Sequence, residues 1–528
     1  MSVCEEIGEF TIRRPQSYGV LFRAFRSIAV SGRFAVRRAN RFSHQARCAF
    51  EPSEPVAPAD RGNENPRMPD TSLTREDLAT IVARLQPINA ELARRYPGES
   101  GARQPVHTVY GGAQLFAADT VPKLGQLARR AMDEYAPDPR SLADAIGVSA
   151  TDPSALRLLQ SVHTRVRDKL QREAVEDFRI DYEDGYGVRP DAEEDGHAVA
   201  GAREVARAMQ ANALSPFIGI RVKPLTAELH ARSLRTLDLF LTTLVRDAGR
   251  LPDRFFVTLP KISAVDQVTA FVDVLEQLEP RLRLPAGTLR FEAMVETPQL
   301  IIDASGRSLL PSLIDAGRGR LVAAHFGTYD YTASLNITAA YQRMRHITCD
   351  FAKSVMQVSL AGTGVWLSDG STTVMPVPVH RRASDGAPLS EPQLADNRAS
   401  VHNAWRLHYD DVRHSLESGF YQGWDLHPAQ LVTRYAAVYT FFLTGLEPQG
   451  ARLRNFVERA AQATLVGDVF DDAATGQGLL NFFFRAINCG AVTEEEAVVM
   501  TGVTLDELRD RSFVRILQNR RGGTAGRT

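Results

Sequence analysis

Phe255-Phe256-Val257-Thr258-Leu259-Pro260-Lys261, Leu289-Arg290-Phe291-Glu292-Ala293-Met294-Val295-Glu296 and Arg320-Leu321-Val322-Ala323-Ala324-His325-Phe326-Gly327-Thr328-Tyr329-Asp330 are three successive strand-length runs. Apolar runs of this length with helical stretches between them indicate parallel strands covered on both faces, which need not alternate apolar with polar. Working outward, the same pattern recurs at Val106–Tyr110, closed by Gly111-Gly112, at Phe178–Tyr182, and at Phe217–Pro224, where the proline ends the ladder. It returns at Gly364–Gly370 and Gly419–Pro428. Eight such runs alternating with helices are the requirement of an α/β chain folded as a (β/α)8 TIM barrel. Thr373-Val374-Met375-Pro376 is expected to fold back across Asp369-Gly370 as a hairpin.

The barrel is expected over residues 68–435, followed by a C-terminal helical segment over 436–528 with capping boxes at Thr493/Glu496 and Thr504/Glu507. Residues 1–67 differ in composition: arginine is dense, no acid occurs between Thr11 and Phe50, and Glu51–Arg67 is Pro-rich like a linker. The arginine-rich part has the look of a transit peptide, which Glu5, Glu6 and Glu9 contradict. We expect a disordered arm or a mis-assigned start there, with the functional protein beginning near Met68. From Leu73 to Tyr96 the spacing of Leu78, Ile81, Val82, Leu85, Ile88 and Leu92 is helical, and Pro97-Gly98 stops it.

The net charge of -1 leaves no electrostatic footprint for nucleic acid or an anionic membrane. No run approaches the roughly 20 apolar residues that span a bilayer. The 4 cysteines, Cys4, Cys48, Cys349 and Cys489, lack CxxC or Cys/His spacing, which argues against a disulfide framework or zinc site and for a reducing cytoplasm.

Glu296 and Asp330 fall at or just past C-terminal strand ends, the rim where barrel chemistry sits. Singly, each also reads as a helix cap or a turn; together they form a pair able to hold a hard cation such as Mg²⁺ beside a substrate. Asp181-Tyr182-Glu183-Asp184-Gly185 places three acids at another strand end, with Asp181 and Glu183 on one side by alternation. Arg221 offers a fork suited to a carboxylate.

Asp-Tyr-Glu-Asp-Gly at 181–185, Arg-Val-Lys at 221–223, Leu-Pro-Lys at 259–261, Val-Glu-Thr at 295–297, Phe-Gly-Thr-Tyr-Asp-Tyr at 326–331 and Leu-His-Pro-Ala-Gln at 426–430 stand in one order. Together, over about residues 105–435, they resemble the HpcH/HpaI aldolase and citrate lyase β-subunit family. That resemblance implies a Mg²⁺-dependent barrel of the phosphoenolpyruvate/pyruvate superfamily, a carbon–carbon lyase or aldolase acting through the enolate of a 2-oxo acid or acyl-CoA thioester. By position it implies Glu296 and Asp330 as metal ligands, Glu296 also beside the substrate, Arg221 on the substrate's carboxylate or carbonyl, and Glu183 and Asp184 as the catalytic acidic pair whose members steady metal-bound water. A homo-oligomer is expected, with Asp471 or Asp472 as a base supplied across subunits. Lys223 stands where the family has asparagine, and His427 reads equally as catalytic or as helix-starting. Two other readings stay open: a phosphoenolpyruvate-handling phosphotransferase on the same barrel, for which no Walker-type cradle exists in the chain, and a non-catalytic barrel subunit.

Overall fold

The computed structural model describes residues 72–99, 101–149, 152–381, 388–458, 464–466, 469–471, 473–510 and 515–516. The arm expected over 1–67 lies outside the described residues. Strands β1 (His107–Gly112), β2 (Asp177–Asp181), β3 (Phe217–Arg221), β4 (Phe255–Leu259), β5 (Arg290–Val295), β6 (Leu321–Phe326), β7 (Trp366–Ser371) and β8 (Gln422–Asp425) pair in sequence order and close into a barrel. Every pairing is parallel, including β1 with β8. The fold is the expected (β/α)8 barrel.

Alternation along β5 shows how the barrel wall is used. Phe291 meets Phe271 of the helix Val265–Arg281 edge to face at 5.6 Å, so it points outward into the shell between strands and helices. Glu292 and Glu296 share the opposite parity and point inward. The outward shell is aliphatic and aromatic, with Ile180, Ile218, Ile220, Val257, Leu259 and Val295 all buried. The interior instead carries an ionic belt. Arg179 Nη2 lies 2.7 Å from Glu292 Oε1 and its Nη1 bonds Asp177, while Thr258 Oγ1 donates to Glu292 Oε2 at 3.1 Å. Thr108 Oγ1 donates to Asp177 Oδ2 at 2.8 Å and accepts from Gln422 Nε2 at 3.0 Å, which carries the belt to β8. Taking one partner out of a buried pair leaves the other charge stranded, at about 3–5 kcal/mol.

Four features depart from expectation. Thr373–Pro376 forms no hairpin, because β7 runs on to Ser371 within the parallel ladder. The sixth strand stops at Phe326, and Asp330 sits in the first turn of the helix Thr328–Ser334. The helix Gln430–Glu458 runs straight through the boundary expected at 435, since its first turns are wholly buried against the barrel. The C-terminal segment is not helical alone: Thr464–Val466 and Val469–Asp471 pair antiparallel. Both expected capping boxes form, Glu496 N donating to Thr493 Oγ1 at 3.1 Å and Glu507 N to Thr504 Oγ1 at 3.3 Å.

Ahead of the barrel stands the helix α1 (Arg75–Arg95), as its spacing predicts, yet none of its side chains is buried. No helix among the described residues is long and apolar enough to cross a membrane.

Candidate functional site at the C-terminal rim

β2, β3 and β5, the turn after β4 and the helix after β6 bring Asp181, Glu183, Asp184, Arg221, Lys261, Glu296 and Asp330 into one cluster. Arg221 is its anchor. Register pairs it with Asp181 across β2 and β3, and its Nε and Nη2 donate to Asp181 Oδ1 and Oδ2 at 2.7 and 2.6 Å. Asp181 is itself fixed by the backbone N–H groups of Glu183 and Gly185 at 3.0 and 2.7 Å. The guanidinium lies 4.8 Å above the Tyr110 ring of β1. Two faces of the fork are thus used inside the protein. Nη1 is left facing Glu183 Oε2 at 3.0 Å and Asp184 Oδ2 at 3.3 Å.

Lys261 closes the ring from the other side. Its ammonium bonds Glu183 and lies 3.4 Å from both Asp184 Oδ1 and Asp330 Oδ1. Its backbone has φ +50°, a left-handed conformation that costs a side-chain-bearing residue strain. That conformation turns the Lys261 N–H onto Glu296 Oε1 at 2.7 Å. Glu296 is 1 % exposed, and its Oε2 has no hydrogen-bond partner. The carboxylate lies flat against Gly327, where a β-carbon would stand 2.3 Å from Oε2. Only glycine fits there.

The charge balance follows. Asp181, Glu183, Asp184, Glu296 and Asp330 outnumber Arg221 and Lys261. Burial, aided by the charges of Asp330 and Glu183 against the pull of Lys261, pushes Glu296 up to about 8. Burial also lifts Glu183 to about 7, with Asp184 adding repulsion while Arg221 and Lys261 oppose it. Asp184 is half in solvent; burial works against its charge, but Arg221 and Lys261 hold its carboxyl below the usual range. Like charges that cannot all ionise cheaply are the condition in which an added cation is favoured.

For Mg²⁺ the donor set fits. Glu296 and Asp330 are hard oxygen donors, Glu296 Oε2 is unpartnered, and Mg²⁺ is commonly held by one or two carboxylates with water and substrate completing its shell. Among the described residues no group of three or more His, Cys, Asp or Glu is set to hold a metal by itself.

Other motif residues lie apart from this cluster. Lys223 turns away to Glu194 at 2.9 Å and the Tyr182 carbonyl at 2.5 Å. His427 Nδ1 accepts the Ala429 N–H at 3.2 Å, starting the helix Gln430–Glu458. Asp471 belongs to the C-terminal hairpin, and Asp472 lies outside the described residues. Sequence reasoning missed Tyr110, and it placed Asp181 on the right side without seeing that it takes the Nε and Nη2 of Arg221. A cavity of about 660 Å³ lined by Arg254, Arg290 and Trp366 lies at the N-terminal end of the barrel, opposite this rim.

A family model described as a domain of unknown function, DUF6986, matches residues 85–516. The chain belongs to that family. Solved structures similar to this DUF6986 chain include a citrate lyase from Burkholderia xenovorans, at 18% identity and TM-score 0.48, covering 76% of this chain and 96% of that one. A Haloferax volcanii malate synthase complex with magnesium and glyoxylate matches at 12% identity and TM-score 0.40, over 77% of this chain and 97% of that one. The protein CitE of Mycobacterium tuberculosis, in complex with magnesium, acetoacetate and coenzyme A, matches at 15% identity and TM-score 0.39, over 74% and 100%. Comparison of the DUF6986 chain with curated proteins gives no match.

Proposed function

We propose that this rim is the active site of a Mg²⁺-dependent carbon–carbon lyase that cleaves or forms the bond between the α-carbon of a carbonyl compound and a hydroxyl-bearing carbon. The carrying observation is the buried Glu296 carboxylate, with one oxygen unpartnered, in a ring of acids that exceeds its cations at the C-terminal end of a barrel. The six ordered motifs support the same reading. Glu296 and Asp330 would hold the ion, which when bound polarises the carbonyl oxygen where negative charge collects.

The chain's own groups divide the remaining work. In the cleavage direction the hydroxyl proton passes to Glu183, a buried rim carboxylate held between Arg221 and Lys261 that can accept and return it. The C–C bond breaks as the carbinol becomes a carbonyl, and the electron pair moves to the enolate of the other fragment. Arg221 Nη1 and the Lys261 ammonium oppose that charge from fixed positions, a preorganised arrangement that needs little reorganisation during reaction. Protonation of the enolate carbon completes the cycle. The substrate class is a 2-oxo acid or an acyl-CoA thioester, and the protein is read as a cytoplasmic homo-oligomer, with Cys349 and Cys489 buried as free thiols.

The test is a thermal-shift screen of the purified chain with Mg²⁺ alone and with Mg²⁺ plus pyruvate, oxaloacetate or an acyl-CoA. The reading expects Mg²⁺ to raise the melting temperature and one of these ligands to raise it further only when Mg²⁺ is present. No response to Mg²⁺ would sink it.

A further inference from the structure

Helix α1 is anomalous. It is 21 residues long, none of them buried, and Leu78, Ile81, Val82, Leu85, Ile88 and Leu92 are each 45 to 56 % exposed. Helices in proteins draw most of their stability from packing an apolar face, so a helix with Pro87 inside and a stripe that no described residue covers calls for a partner. The spacing says what that partner is. Leu78, Ile81, Leu85, Ile88 and Leu92 follow one another at intervals of three, four, three and four, the a and d positions of a heptad seam, with Val82 beside them at e. Pro87 falls at a c position away from the seam.

We propose that α1 pairs antiparallel with α1 of a second copy of this chain, forming a two-fold interface. The flanking charges set the direction. Arg84 and Glu91 both occupy g positions, and antiparallel pairing brings g against g of the partner helix. With Leu85 layered on Ile88 of the second copy, Arg84 faces the other Glu91, and symmetry repeats the contact. In a parallel pair g faces e, where Val82, Asn89 and Tyr96 offer no counter-charge. A self-complementary patch of this kind closes as a dimer instead of growing into a filament. Glu91 bonds Arg94 at 2.6 Å in the single chain, on the surface where such a pair contributes little and is readily exchanged. The proposal concerns a surface distant in kind from the rim and does not depend on the chemistry assigned there.

Sedimentation of the full-length chain tests it. A concentration-dependent species of twice the 58.2 kDa chain mass is expected, and Leu85→Asp with Ile88→Asp should return it to monomer while leaving the melting temperature of the barrel intact. Arg84→Glu or Glu91→Arg alone should move the dimer midpoint to higher concentration, and the double reversal should restore it. A chain that is monomeric at every concentration overturns the proposal. So does a dimer indifferent to Leu85→Asp but lost with Phe351→Asp, which would put the contact on the exposed face of the helix Ile347–Leu360, or a double reversal no better than the single ones.

Discussion

Two buried glutamates stand at opposite ends of the barrel and differ in almost everything but burial. Glu176, just before β2, is 2 % exposed; Glu296, just after β5, is 1 % exposed. Glu176 is met by Lys169 Nζ at 2.6 Å, Arg103 Nη2 at 2.9 Å and the Val106 N–H at 2.8 Å. Burial opposes its charge, yet Lys169 and Arg103 hold its carboxyl down at about 2. Glu296 receives one backbone N–H, and burial lifts it to about 8. The same side chain is thus a finished structural pair at the N-terminal end and an unfinished one at the C-terminal rim. In this barrel the mark of a site is burial left uncompensated.

The largest effect that would break the contrast is catalytic. Glu296→Gln is expected to abolish Mg²⁺-dependent turnover while the circular dichroism spectrum stays that of the parent; measurable Mg²⁺-dependent activity in this variant would remove Glu296 from its role. Glu176→Gln should do the reverse. It leaves Lys169 and Arg103 to Glu173 alone, at 2.5 Å from each, and removes a buried charged acceptor, which costs about 1–3 kcal/mol of stability by denaturant titration, with turnover per folded molecule unchanged.

The pH dependence of the metal-free chain sharpens the comparison. A carboxyl whose folded pKa is raised favours the folded state at low pH and withdraws that favour as pH climbs through the folded value. Glu296 therefore predicts stability lost between about pH 4.5 and 8, with a slope of at most roughly 1.4 kcal/mol per pH unit for one whole proton. Glu176, lowered to about 2, adds stability that is present above pH 4.5 and lost as pH falls toward 2. Melting curves across this range on wild type and Glu296→Gln decide it: the variant should show a shallower decline, the part due to Glu183 remaining, and at pH 8 it should melt higher than metal-free wild type. Mg²⁺ binding below pH 8 should release protons, read by calorimetry in two buffers of different ionisation heat.

The smallest effect separates the arginine from the acids. Arg221→Lys keeps the charge but gives up the fork that Asp181 grips, so Mg²⁺ affinity should hold nearly constant while substrate affinity falls by about 1–3 kcal/mol. An equal loss of both would show that arginine and carboxylates are not divided in role as described.

Much of this was legible in the residues. The eight strands declare themselves as apolar runs closed by Gly or Pro, because a strand covered on both faces leaves no other pattern. Glu296 and Arg221 were readable from their places at strand ends. Asp330 was readable as part of the rim but not as a helical residue, since a helix starting one residue beyond a strand, at Thr328, has no room for a separate signal. The use of Arg221 by Asp181, and the Tyr110 ring beneath it, depend on register between strands far apart in sequence. The antiparallel pair of Thr464–Val466 and Val469–Asp471 was missed because three-residue strands carry no period to detect. The helical spacing of α1 was plain, but the same spacing serves a buried helix and an exposed one, and its lack of cover shows only in three dimensions.

The contact between Glu296 and Gly327 has a bearing on how relatives of this chain should be sorted. A gene copy could keep every charged residue of the rim and still lose the site by exchanging one codon for alanine at 327, because the added methyl would occupy the space of a carboxylate oxygen 2.3 Å away. Inventories of acids and arginines would not register the change. The informative letter is the one without a side chain, and position 327 is the one to compare first among DUF6986 sequences.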